Sequence, residues 1–157
     1  MCHQRCAASG TTNTCSEGQG CGADGLCSLP GSYAACTFSG GLDHLTLRRS
    51  EPARGLCTVV SLAFPANNPH PALSVTAGWG VTNAFVTRRP GGCPDDSSPL
   101  AAVEAQQLTG RIELVIPDGG FLPTSVSAFV TVFPRADAGV PSPTHLIAAG
   151  LPVPSCF

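Results

Sequence analysis

Short apolar stretches rich in β-branched residues recur along most of this chain between glycine and proline punctuation. They run from Leu42 to Arg48, Leu56 to Phe64, Leu73 to Ala77, Val81 to Arg88, Gly110 to Ile116, Ser125 to Phe133 and His145 to Leu151. Several alternate with the period of two that a half-buried strand requires. Ile112, Leu114 and Ile116 fall on one face of such a strand, with Arg111, Glu113 and Val115 on the other. Val126, Ala128, Val130 and Val132 alternate in the same way with Ser127, Phe129, Thr131 and Phe133. Strands this short, with turn signals at spacings of roughly 8 to 15 residues, predict an antiparallel β-sandwich.

Only one stretch favours a helix. Pro99 to Leu108 carries Ala101, Ala102, Glu104 and Ala105, and Pro99 suits a first helical turn, so at most one short helix is expected there. Proline-rich joints at 65–71, 90–94, 134–143 and 152–154 read as turn and edge breakers, which also discourage sheet-to-sheet aggregation.

Before residue 37 the pattern changes. Of nine cysteines, Cys2, Cys6, Cys15, Cys21, Cys27 and Cys36 crowd the first quarter, and Cys57, Cys93 and Cys156 are scattered beyond. Cys15 to Cys27 makes two successive Cys-x5-Cys steps, with Gly18, Gly20, Gly22 and Gly25 supplying the backbone freedom of tight turns. Almost nothing apolar lies here, so sulfur must hold the segment together. The expected architecture is therefore all-β: a small N-terminal disulfide-rich head over residues 1–36 and a β-sandwich domain over 37–157. Zinc would prefer closely spaced cysteine pairs with a matched second pair, which Cys2-His3 and Cys6 resemble poorly, and no cofactor is expected.

Cysteine parity leaves one residue over. In one partition Cys6, Cys15, Cys21 and Cys27 make two bridges in the head, while Cys36, Cys57, Cys93 and Cys156 brace the sandwich. Cys36 and Cys156 bracket that domain, whose termini should lie close together, and Cys57 can meet Cys93 in the Gly91-Gly92-Cys93 loop. Cys2 is then unpaired, free for anchoring or an intermolecular link. The rival partition pairs all six head cysteines among themselves and leaves one of Cys57, Cys93 and Cys156 free.

Cysteines at this density place the chain in an oxidising compartment, secreted or on the outer cell surface. No apolar stretch approaches the roughly 20 residues of a membrane-spanning helix, and no signal peptide is present. Together these imply a processed chain in which Met1 is an added start before a mature terminus. Cys2 at that terminus suits the lipid anchor of a bacterial lipoprotein, although the lipobox is missing.

Charge narrows the partners. Charged residues make up 11% of the chain, against roughly 25% in an average globular protein. Arg48-Arg49 and Arg88-Arg89 are too few and too dispersed to neutralise a run of phosphates, which argues against nucleic acid and anionic membranes. Lysine is absent, in keeping with a GC-rich genome, and its absence excludes a Schiff base, a P-loop lysine and a Lys-Asn isopeptide crosslink.

Candidate chemistry is sparse. His3, His44, His70 and His145 show no metal-ligand spacing, and Asp43-His44 has no Gly-x-Ser-x-Gly elbow beside it, so for His44 and His145 a place on a strand surface is the simpler reading. Asp24-Gly25, Asp95-Asp96 and Asp118-Gly119 lie in expected loops that offer carboxylates to calcium, yet Asp-Gly is above all a turn dipeptide. Trp79, flanked by Gly78 and Gly80, is the one candidate ligand-binding residue: a sugar-stacking platform if exposed, a core plug if buried. Tyr33 is expected to cover a disulfide.

The run Cys15-Ser-Glu-Gly-Gln-Gly-Cys21-Gly-Ala-Asp-Gly-Leu-Cys27, with Cys6 before it, resembles the Cys-rich repeat that opens many uncharacterised secreted proteins and lipoproteins of myxobacteria. Arg54-Gly55-Leu56-Cys57, Gly78-Trp79-Gly80 and Cys156 are similar to the domain that often follows it. The resemblance covers most of the chain, rests mainly on cysteines and glycines, implies export and surface location, and carries no catalytic residues to transfer. The functional expectation is a secreted or cell-surface non-enzymatic structural or interaction module, self-assembling in one version, with a protein or glycan as partner. The alternatives are a secreted glycan-binding module, and a hydrolase or a protease inhibitor. An inhibitor would present the disulfide-braced loop from Arg88-Arg89-Pro90 to Cys93.

Overall fold

The computed structural model describes residues 20–21, 27–28, 32–51, 55–88, 93, 102–135, 139–140 and 142–156. Within them the chain forms β1 (Gly20–Cys21), β2 (Cys27–Ser28), β3 (Ser32–Ser39), β4 (Asp43–Glu51), β5 (Leu56–Phe64), β6 (Leu73–Val75), β7 (Gly80–Arg88), β8 (Ala102–Val115), β9 (Ser125–Pro134) and β10 (Thr144–Pro152). The fold is all-β. β1 and β2 form a two-stranded hairpin, and the other strands build one sheet in the order β10-β9-β8-β7-β5-β4-β3, with β6 added in parallel to β8.

That sheet folds over on itself into two layers. β8 belongs to both: Ala102 to Glu104 pair with β7, and from Ala105 onward the strand pairs with β9, with a register shift between Ala105 and Gln107. Residues of one parity then point inward from both layers, as the alternation requires. Leu45, Leu47, Val60, Leu62, Leu108, Ile112, Val126, Val130 and Leu146 are all essentially inaccessible to solvent. Each such side chain contributes about 1.5–3 kcal/mol of burial free energy.

The helix expected over 99–108 is a strand from Ala102 onward. Alanine and glutamate favour helix only weakly, and a position between β7 and β9, with ladders on both sides, outweighs that preference. The expected boundary at residue 36 falls inside β3, whose Tyr33, Ala35 and Thr37 lie opposite Arg49, Leu47 and Leu45.

β3 and β10, the outermost strands, meet along a seam. At one end the chain beyond β10 closes it: Thr37 N–H donates to Pro154 O and Cys156 N–H to Thr37 O, both at 2.9 Å. The Cys36–Cys156 disulfide spans the same place, with 4.9 Å between Cα atoms, and Cys57–Cys93 ties β5 to the loop after β7. These are the two sandwich bridges of the first partition. Cys2, Cys6 and Cys15 lie outside the described residues, and Cys21 and Cys27 are described only as opposed backbone positions of β1 and β2.

Candidate functional site

The inward face of β4 reads Leu45, Leu47, Arg49, Glu51, so an apolar row ends in two charges. Arg49 is 4% and Glu51 5% exposed, and Nη2 of Arg49 lies 2.8 Å from Oε1 of Glu51. Nη1 of the same guanidinium donates across the sandwich to His145 O of β10 at 2.7 Å. Two residues along, Ile147 N–H donates to the Tyr33 hydroxyl at 3.3 Å, and the Tyr33 ring lies 6.0 Å from the guanidinium carbon. The edge of β10 facing the seam therefore finds its partners in side chains from the other layer. Burial raises the Tyr33 pKa above its ordinary value, while the Arg49 charge and the Ile147 N–H pull it back. Tyr33 thus lies beneath Arg49, in a cluster that holds the layers together.

The remaining candidates do not converge. Asp43 accepts a hydrogen bond from Ser39 Oγ across the β3–β4 turn at 2.9 Å, and His145 Nδ1 sits 3.2 Å from Thr131 Oγ1 on the outer face. Asn68 Oδ1 accepts from the His70 backbone N–H, and Arg88 Nε donates to Gly139 O. His3, Asp24, Asp95, Asp96 and residues 89–92 of the inhibitor-like loop lie outside the described residues. Among the described residues no three His, Cys, Asp or Glu side chains come together as metal ligands.

Trp79 is not a platform. It is 3% exposed and packs against Phe64 with ring centroids 5.6 Å apart, so no ring face is open to a sugar. Its flanking glycines serve the backbone: Gly78 has φ +86°, and a Cβ on Gly80 would come within 2.7 Å of the Asn67 backbone. They turn the chain so that the indole swings inward. Its Nε1 is buried with no hydrogen-bond partner among the described residues.

Two features remain on the surface. On the outer face, Arg111 stands between Ser74 of β6 and Phe129 of β9, its guanidinium carbon 5.2 Å from the Phe129 ring centre and its Nη1 3.6 Å from Glu113. Ser74, Gly110, Arg111 and Phe129 line a mostly apolar hollow of about 290 Å³. Gly110 is required there, because its φ is +110° and a Cβ would run into the Phe129 carbonyl. The second feature is one end of the sandwich. The exposed large apolar side chains among the described residues are Phe38, Leu42, Val115, Phe121 and Leu122, all at the end where β3 turns into β4 and β8 into β9. Backbone bonds link these turns through the last segment, from Thr124 N to Val115 O, Val153 N to Thr124 O and Thr37 N to Pro154 O.

Alternation places Arg111 and Phe129 outward, but their meeting depends on a register between distant strands that no local pattern supplies. No family model, curated protein or solved structure matches the chain. No helix among the described residues is long and apolar enough to cross a membrane, and the disulfides are compatible with secretion.

Proposed function

We propose that this protein is a secreted or cell-surface, non-enzymatic structural and interaction module. The observation that carries the reading is the division of its side chains: a charged pair turned inward to clamp a disulfide-braced body, and five large apolar side chains turned outward at one end. Exposed apolar groups gathered in one place mark contact surfaces. Dense cysteines suit life in an oxidising medium, and the resemblance to myxobacterial secreted proteins and lipoproteins points the same way. The contact partner is a protein or a glycan at the cell surface. With Trp79 buried, a glycan would have to use the stacked Arg111 and Phe129 instead.

The test combines turnover with binding. The oxidised full chain is expected to leave peptide, ester and glycoside substrates intact and to bind cell-envelope material saturably, with binding weakened by Phe121→Ser. Turnover that copurifies with the chain and disappears in His44→Ala or His145→Ala overturns the reading.

A further inference from the structure

Phe121 is 70% exposed at the tip of the β8–β9 connection. It follows a tight turn in which Gly120 N–H donates to Pro117 O at 2.9 Å and Gly119 takes φ +76°, and Pro123 stiffens the return. The aromatic side chain is thus held out on a short, braced support rather than on a long loop. Asp118, in the same turn, is also exposed.

The hollow on the outer face has the complementary character. Phe129 supplies an aromatic wall, Gly110 a floor without a side chain, and Arg111 a cation at the rim. Its volume of about 290 Å³ lies at or below the roughly 300–1,000 Å³ of small-molecule sites, which suits one inserted side chain better than a free ligand. The apolar end carries Asp43 and Asp118 and no arginine on either hairpin tip, which opposes an anionic lipid or nucleic acid and favours a partner with a cation beside an apolar recess. The chain itself presents such a partner.

We infer that copies of this chain associate end to face, Phe121 of one entering the hollow formed by Ser74, Gly110 and Phe129 of the next, with Asp118 meeting Arg111. The inference rests on the interaction-module reading and names its partner as a second copy. Knob and hollow lie on different surfaces, so the contact is heterologous: each copy that has made one contact still offers a knob or a hollow, and assembly continues as an open chain.

Sedimentation velocity on the oxidised full chain tests this, in a Cys2→Ser background so that no bridge through that thiol contributes. Mean mass is expected to rise with concentration. Phe121→Ser removes the knob and Ser74→Trp fills the hollow, both at exposed positions where the fold has room, and each variant alone is expected to stay monomeric. Mixed in equal amounts they should form a dimer that grows no further, because one keeps its hollow and the other its knob. Asp118→Arg should weaken association about tenfold, and adding Arg111→Asp should restore it. A monomeric parent up to about 1 mM, variants that assemble like the parent, or a mixture that stays monomeric would each overturn the inference. A monomer that still binds envelope material would sink self-association and leave the module reading standing, whereas substrate turnover would sink the module reading whatever the assembly state.

Discussion

Replacing Arg49 by methionine keeps an unbranched apolar stem and deletes the guanidinium that lies 2.8 Å from Glu51 and 2.7 Å from His145 O. Both ion-pair partners are more than nine-tenths buried, so water cannot take over the lost contacts. Removing one member of a buried pair costs about 3–5 kcal/mol, largely because the other charge stays behind in a poorly polarisable interior. Within that figure, the charge-assisted bond across the sandwich accounts for about 1.5–3 kcal/mol. Arg49→Met/Glu51→Leu removes both charges together and so strands neither, and the bond to His145 is the main loss, about 1.5–3 kcal/mol. The double variant is thus expected to be about 2 kcal/mol more stable than Arg49→Met alone, and in a cycle completed by Glu51→Leu the two single losses should together exceed the double loss. Urea unfolding of the oxidised chain provides the measurement, and Trp79, as the only tryptophan, makes its fluorescence a single-site signal. Shifts in midpoint at constant slope then convert to stability. If the double variant loses the sum of the two single losses, Arg49 and Glu51 act independently and the buried-pair argument fails.

Tyr33 predicts an alkaline limit. Burial raises its folded pKa above the ordinary 10.0, so the unfolded chain gives up the phenolic proton first. The stability carried by the neutral phenol is then complete below about pH 10 and is lost as pH rises through the folded value. Urea midpoints should fall over that range in the parent but not in Tyr33→Phe, and tyrosinate absorbance reports this residue alone, since the chain has one tyrosine. The Cys36–Cys156 bridge closes a separation of 120 residues, and its double alanine replacement should cost about 5 kcal/mol on the chain-entropy estimate. The Cys57–Cys93 bridge, at 36 residues, should cost about 4 kcal/mol; urea midpoints for the two pairs check both size and order. Gly110→Ala should lose about 2–4 kcal/mol or fail to accumulate folded chain, because both φ and the Phe129 carbonyl oppose a side chain. Circular dichroism melts would show it, and a melt matching the parent would count against the close approach of β8 and β9.

Where an unbroken apolar run or a simple alternation marks a strand, the fold could be read directly. β5 coincides with the run from Leu56 to Phe64, and β9 buries Val126, Ala128, Val130 and Val132 as the period of two requires. β3 was hidden because its inward residues Tyr33, Ala35 and Thr37 are polar or small and straddle the expected boundary at Cys36. The first half of β8 was hidden because alanine and glutamate carry helical preference, which a long-range ladder overrides. Arg49 and Glu51 share the parity of Leu45 and Leu47, and that was their one local sign; charges at the end of an inward row normally mark where a strand leaves the core. The surface hollow had no local sign at all, since Ser74, Arg111 and Phe129 come from three strands whose registers are fixed only in the assembled sheet.

The seam between β3 and β10 imposes an order of events on biogenesis. Synthesis proceeds from the amino terminus, so Cys36 is made 120 residues before its partner Cys156, while other thiols arrive in between. Until Pro154 to Cys156 emerge, Thr37 lacks its two backbone bonds to that segment, and Cys36 can reach its native bridge only while it is reduced or in an exchangeable pairing. Oxidation that is too early and cannot be reversed would leave this seam open. In an oxidising medium the yield of closed molecules should therefore rise when a disulfide isomerase is supplied alongside an oxidase.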